Sequence, residues 1–172
     1  IGPLYFNFSR QHYDRECMDD LLGRLAQSGI EQQTRAMFAG EKINGSENRA
    51  VLHTALRSNL SDSEEAQQAH QHAMAALDTI SSLIERFRQE GITDIISVGI
   101  GGSDLGPRLV LNALTDFASK DFRIHFLSSA DGLYLESFMA ALSAEKTAVL
   151  LVSKSFNTQE TLINGAVLKN WL

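Results

Sequence analysis

Two short stretches hold most of the residues able to do chemistry. In "VSKSFNTQET" an apolar run empties into Ser153, Lys154, Ser155 and Thr158, so three hydroxyls and one ammonium fall within six positions. A phosphate monoester presents three oxygens that accept hydrogen bonds, and hydroxyls, amides and a point-charge lysine donate to them without a forked geometry. In "VGIGGSDLGPRLV" Gly99, Gly101, Gly102 and Gly106 crowd a second turn after an apolar run. Glycines let backbone amides approach an anion closely, and a helix beginning near Leu105 adds unpaired N–H groups and a partial positive charge. Ser103 adds a hydroxyl donor, and Pro107 suits the first helical turn, where it loses no hydrogen bond.

Two nucleotide motifs fail on this glycine turn. The dinucleotide fingerprint needs glycine where Asp104 stands, and the next strand ends in Ser128 and Ser129 instead of an acid for a ribose hydroxyl. That disfavours a nicotinamide-dependent oxidoreductase. The nucleotide P-loop needs Lys and Ser or Thr where Pro107 and Arg108 stand. The plainer alternatives are a tight strand-to-helix turn at the glycines and ordinary capping by the Ser, Thr and Asn side chains. Elsewhere, Ser103 and Asp104 lack a nucleophile elbow, and His12, His53, His70, His72 and His125 have no metal-ligand spacing and read as structural. No metal or cofactor is expected. Cys17 has no basic neighbours that would make it reactive, and Asp19–Asp20 and Glu64–Glu65 read as solvated helix surface.

Composition bounds the rest. The chain has 172 residues, 44% of them hydrophobic, and a net charge of −6, which argues against coating nucleic acid or an anionic membrane. Any anion site is therefore local. A single cysteine excludes an internal disulfide, and no apolar stretch approaches the roughly 20 residues that span a bilayer. A reducing cytosol is the expected compartment. The start "IGPLYFNFSR" and the end "KNWL" both read as truncated.

The elements that position these loops follow from periodicity. Residues 11–90 read as helical, with Leu21, Leu22 and Leu25 on one face, a turn at "EKINGSENRA", and a short helix over Ala50–Arg57. Ser61 and Glu64 form a capping box for a core-facing helix bearing Ala66, Ala69, Ala73, Leu77, Ile80, Ile84 and Phe87, stopped at Gly91. Residues 91–172 read as βαβαβα, with strands "IISVGI", "RIHFL" and "TAVLLV" and helices near Leu105–Phe117 and Leu133–Leu142. Asn157 and Glu160 resemble a capping box for the last helix. Such short unalternating runs suit parallel strands buried on both faces. The expected architecture is α/β: a three-layer αβα sandwich around a doubly wound parallel sheet, preceded by a helical N-terminal layer, all in one domain over 1–172. In such a sheet the loops 99–105, 128–132 and 153–158 converge beyond the carboxyl ends of the strands.

Three separated motifs, "GIGGSDLGP", "SKSFNTQET" and "GEKINGSENRAVLHTALR", resemble the glucose-6-phosphate isomerase family from about Leu4 to Leu172. The resemblance covers only the N-terminal part of that family's polypeptide, its first sugar isomerase domain. It implies that Gly102 and Ser103 touch a phosphosugar and that Ser153, Lys154, Ser155 and Thr158 form its phosphate cup. The family commonly has threonine at the positions of Ser155 and Asn157 and asparagine at that of Ser129, which bears on fine specificity and leaves the donors in place. The family's reaction moves a proton between C1 and C2 of an open-chain hexose phosphate without a metal or cofactor. Its glutamate, histidine, arginine and late lysine are implied to lie beyond Leu172, so no catalytic residue is expected here. A homodimer is implied for the complete enzyme. A non-catalytic phosphosugar sensor remains the alternative.

Overall fold

The computed structural model describes residues 2–5, 7–57 and 63–172, and the chain forms two compact units, Ile1–Asp78 and Thr79–Leu172. In the first, α1 spans Arg15–Gln27 and α2 spans Ile30–Phe38. Asp14 caps α1 by accepting the Cys17 N–H at 2.9 Å, which satisfies one of the donors a helix start leaves open. Leu21, Leu22 and Leu25 are all exposed, so the apolar stripe of α1 lies uncovered among the described residues. The expected helix over 50–57 shortens to a four-residue 3₁₀ turn at His53–Leu56, too short for α-helical bonds to propagate. The Ala55 carbonyl of that turn meets His70 Nδ1 at 2.7 Å.

The long helix α3 spans Glu64–Gln89, as the periodicity predicts, and stops two residues before Gly91. Its capping box falls on Ser61, outside the described residues. Along its stripe Ala66 is buried and Ala69, Ala73 and Phe87 are half-buried, while Leu77, Ile80 and Ile84 are exposed, so the face that its period predicts is covered only in part.

The second unit carries three parallel strands, β1 (Asp94–Val98), β2 (Arg123–Leu127) and β3 (Thr147–Leu151), in the order β2-β1-β3. Three helices follow them in turn: α4 (Gly102–Ala113), α5 (Gly132–Ala141) and α6 (Gln159–Trp171). The chain steps outward from β1 to β2, then crosses back to place β3 on the far side of β1. Right-handed crossovers in opposite directions put α4 and α5 on opposite faces, which makes the unit a doubly wound three-layer αβα sandwich.

Alternation along the strands divides the two faces. Ile96, Val98 and Leu127 pack with Leu135 of α5 and Leu168 of α6 as the core cluster, and each such buried aliphatic contributes about 1.5–3 kcal/mol. On the other face Ile95, Ser97, Phe126 and Leu150 line an open apolar cavity of about 550 Å³ with Pro107 and Val110 of α4. Burial on both faces holds only for central β1, all five of whose residues are buried; β2 starts and β3 ends exposed because each is an edge strand.

Candidate functional site

Parallel register aligns the carboxyl ends of all three strands: Val98 lies opposite Leu127 on one side and Leu151 on the other. The Val152 N–H continues the ladder to the Val98 carbonyl at 2.8 Å. The glycine turn and the Ser153–Thr158 loop therefore leave neighbouring strands at the same edge. They flank the β1/β3 boundary, where the winding of the sheet reverses and a crevice opens in folds of this kind.

The glycine turn is tighter than its sequence suggests. Gly101 caps α4 with φ 58° and ψ −123°, a conformation that L side chains resist, and α4 begins at Gly102, three residues before the expected start at Leu105. The Ser103 and Asp104 N–H groups bond back to the Ile100 and Gly101 carbonyls at 3.1 Å, so the turn itself engages amides that the motif alone leaves unpaired. Pro107 consequently sits inside the helix, not in its first turn. Having no N–H, it leaves the Ser103 carbonyl without its α-helical donor. That carbonyl instead crowds Gly99, where an added Cβ would lie 2.8 Å from the Ser103 oxygen. Gly102 has open space where a side chain would stand, and Ser103 is half-buried.

The loop after β3 is built around Ser153. Its hydroxyl accepts the Phe156 N–H at 3.0 Å and lies 3.5 Å from the Thr158 hydroxyl. Phe156 takes the left-handed conformation, φ 54°, to make this bond. Ser155 accepts the Asn157 N–H at 3.3 Å, and Lys154 and Ser155 are both exposed. The cap of α6 is Thr158, one residue after the expected Asn157, and its hydroxyl makes no capping bond. It faces Ser153 instead of the helix. In the first turn of α6, the Thr161 hydroxyl is buried without a hydrogen-bond partner among the described residues.

At the third loop Asp131 caps α5 by accepting the Leu133 N–H at 2.9 Å. Asn164 of α6, buried, donates to the Ser129 carbonyl at 2.8 Å and ties this loop to the helix that follows β3.

A family model described as phosphoglucose isomerase matches residues 7–172. The chain belongs to the phosphoglucose isomerase family. It is 46% identical to a glucose-6-phosphate isomerase of Xanthomonas axonopodis pv. citri (strain 306) over all of its own 172 residues, which are 34% of that relative. It is 45% identical over the same span to the glucose-6-phosphate isomerase of Xanthomonas campestris pv. campestris (strain B100). A crystal structure of a glucose-6-phosphate isomerase from Chlamydia trachomatis superposes with a TM-score of 0.73 and 29% identity, over 92% of this chain and 32% of that one. The chain thus spans about a third of the length of these relatives.

Two ion-pair systems of this phosphoglucose isomerase family member lie outside the expected site residues. Asp104 is buried beside Ser103, and Arg108 grips it with two bonds, Nη2 to Oδ1 at 2.9 Å and Nε to Oδ2 at 3.3 Å. The same guanidinium lies 4.6 Å above the Phe126 ring. An acid and an arginine four apart on a helix is the one signal of this pair in the sequence. At the opposite, amino-terminal edge of the sheet, Asp94 is buried and accepts from Arg123 at 2.8 and 2.6 Å, from His125 at 2.8 Å and from Thr93 at 2.8 Å. The Arg123 guanidinium, against the cost of burial, holds the Asp94 carboxyl well below the usual carboxylate range, with His125 and Thr93 adding to the effect. Strand pairing alone brings these residues together, since Asp94 is in register with Arg123.

Proposed function

We propose that this chain is the phosphosugar-holding part of a glucose-6-phosphate isomerase, an enzyme that interconverts glucose 6-phosphate and fructose 6-phosphate. The observation that carries this is the pairing of Ser153 and Thr158 hydroxyls at 3.5 Å, one strand away from the turn of Gly102 and Ser103. Ser153, Lys154, Ser155 and Thr158 take the phosphate, while Gly102 and Ser103 form the opposing wall. The Ser153 oxygen accepts from Phe156 and keeps its own proton to donate, to the Thr158 hydroxyl or to an anionic ligand. A hydroxyl on Thr158 that does not cap its own helix is available for the same use.

The chemical step needs a base at the carbon acid, a proton donor to the ring oxygen and a cation for the enediolate. The chain's part is orientation: a phosphate gripped away from the reacting carbons converts binding energy into placement of C1 and C2. The carboxylate in the glycine turn, Asp104, is committed to Arg108, so it does not serve as the base. The groups that move protons come from outside residues 1–172.

The test is a titration of the 172-residue chain with glucose 6-phosphate, following the backbone amides of Gly101–Leu105 and Ser153–Gln159. Shifts confined to those two segments, with no conversion to fructose 6-phosphate, are expected. Shifts elsewhere remove the site, and turnover by the purified chain removes the division of labour.

A further inference from the structure

We infer that Arg108 is a positioning residue for the phosphosugar site, acting through Asp104: it neutralises a buried carboxylate that would otherwise oppose the ligand's phosphate. This rests on the phosphosugar reading above. The geometry behind it is local. Asp104 stands in the first turn of α4, next in sequence to Ser103, and its side chain is 6% exposed. A carboxylate there is compatible with the helix's own partial positive charge but consumes it, because the same field is what an incoming anion would use. Buried charge is also poorly screened, so its repulsion reaches neighbouring positions at closer to full strength.

Arg108 answers both problems with one side chain. Its two bonds to both carboxylate oxygens are the fork that guanidinium makes and ammonium does not. The Phe126 ring, 4.6 Å beneath the guanidinium, holds the fork against β2. Arg108 is half-exposed at 39%, so it stays charged at little cost while Asp104 stays buried. The outcome is a glycine turn that is close to neutral, so that it does not oppose an incoming anion.

The test compares glucose 6-phosphate with glucose 6-sulfate at pH 8, where the first is a dianion and the second a monoanion. Coulomb repulsion scales with ligand charge, so Arg108→Leu is expected to weaken the phosphate about tenfold and the sulfate only about threefold. The double variant Asp104→Asn/Arg108→Leu, which leaves no unpaired buried charge, is expected to bind both within about twofold of the parent. Arg108→Lys, a point charge in the same place, is expected to lose less than Arg108→Leu for both ligands.

Equal losses for the two ligands, or no recovery in the double variant, show that Arg108 merely supports the fold and overturn the inference. If Arg108→Leu does not fold, the double variant decides, and a folded double variant about tenfold weaker than the parent overturns it as well. A parent chain that binds while Arg108→Leu binds equally well sinks the inference and spares the phosphosugar site. A parent chain that binds neither ligand sinks both.

Discussion

Ser153 Oγ accepts the backbone N–H of Phe156 at 3.0 Å, and the Phe156 backbone enters the left-handed region to deliver it. A short hydroxyl side chain thus substitutes for a turn's backbone acceptor and stores strain in the residue it holds. Ser153→Ala removes the acceptor and one proposed phosphate donor together. The expected result is at least tenfold weaker glucose 6-phosphate binding, with amide shifts across 153–159 in the unliganded chain. Phe156→Gly relieves the strain and is expected to raise stability by about 1 kcal/mol in urea unfolding, less whatever the aromatic ring contributes. Loss of stability in Phe156→Gly would mean that ring packing outweighs the backbone strain.

The turn before α4 depends on two glycines for different reasons. Gly101→Ala meets no neighbouring atom but must hold φ 58°, and is expected to destabilise by about 1–2 kcal/mol. Gly99→Ala places a methyl against the Ser103 carbonyl at 2.8 Å, where backbone must yield. Thermal unfolding should show both losses, but only Gly99→Ala should displace Ser103, read as altered amide shifts at residues 102–105.

Asp94 makes the stability of the sheet depend on acid. Its folded-state pKa lies below the unfolded value of about 4, so its contribution is present above that value and is lost as pH falls through and below it. Unfolding of the parent chain in urea at descending pH should lose stability below about pH 4. Asp94→Asn is expected to cost about 2 kcal/mol at pH 7 and to flatten that acid limb. A variant with the same acid limb as the parent would assign the dependence to other carboxylates.

Thr161 is the converse case, a buried hydroxyl without a partner among the described residues. Thr161→Val replaces it with a methyl of similar shape and is expected to stabilise by about 1 kcal/mol. Destabilisation measured in urea would reveal a hydrogen bond made in solution.

The features legible in the amino-acid sequence are those encoded locally. Strand β2 and the run of α3 follow from period and composition, and the hydroxyl cluster after β3 marks the loop that the topology then places beside the glycine turn. Gly102 as a first helical residue is hidden by glycine's poor helix propensity, which the constraints of the turn override. Pro107 is misplaced as a direct result, since its position in the helix is counted from that start. The bond from Asn164 to Ser129 leaves no trace in the sequence because the two residues are 35 apart and meet only once α6 packs beside α5. The open stripe of α1 misleads for a different reason: periodicity reports an apolar face, and says nothing of what covers it.

The five-for-five register between β1 and β3 fixes the gauge of whatever lies between their loops. Neighbouring strands stand about 4.8 Å apart, and the bond from Val152 to Val98 carries that spacing one step past the last paired residues. The bases of the two loops are therefore held at strand spacing, whatever side chains the loops carry. Mutations in either loop can reline or shift its tip, but parting the bases requires breaking the most buried strand of the unit.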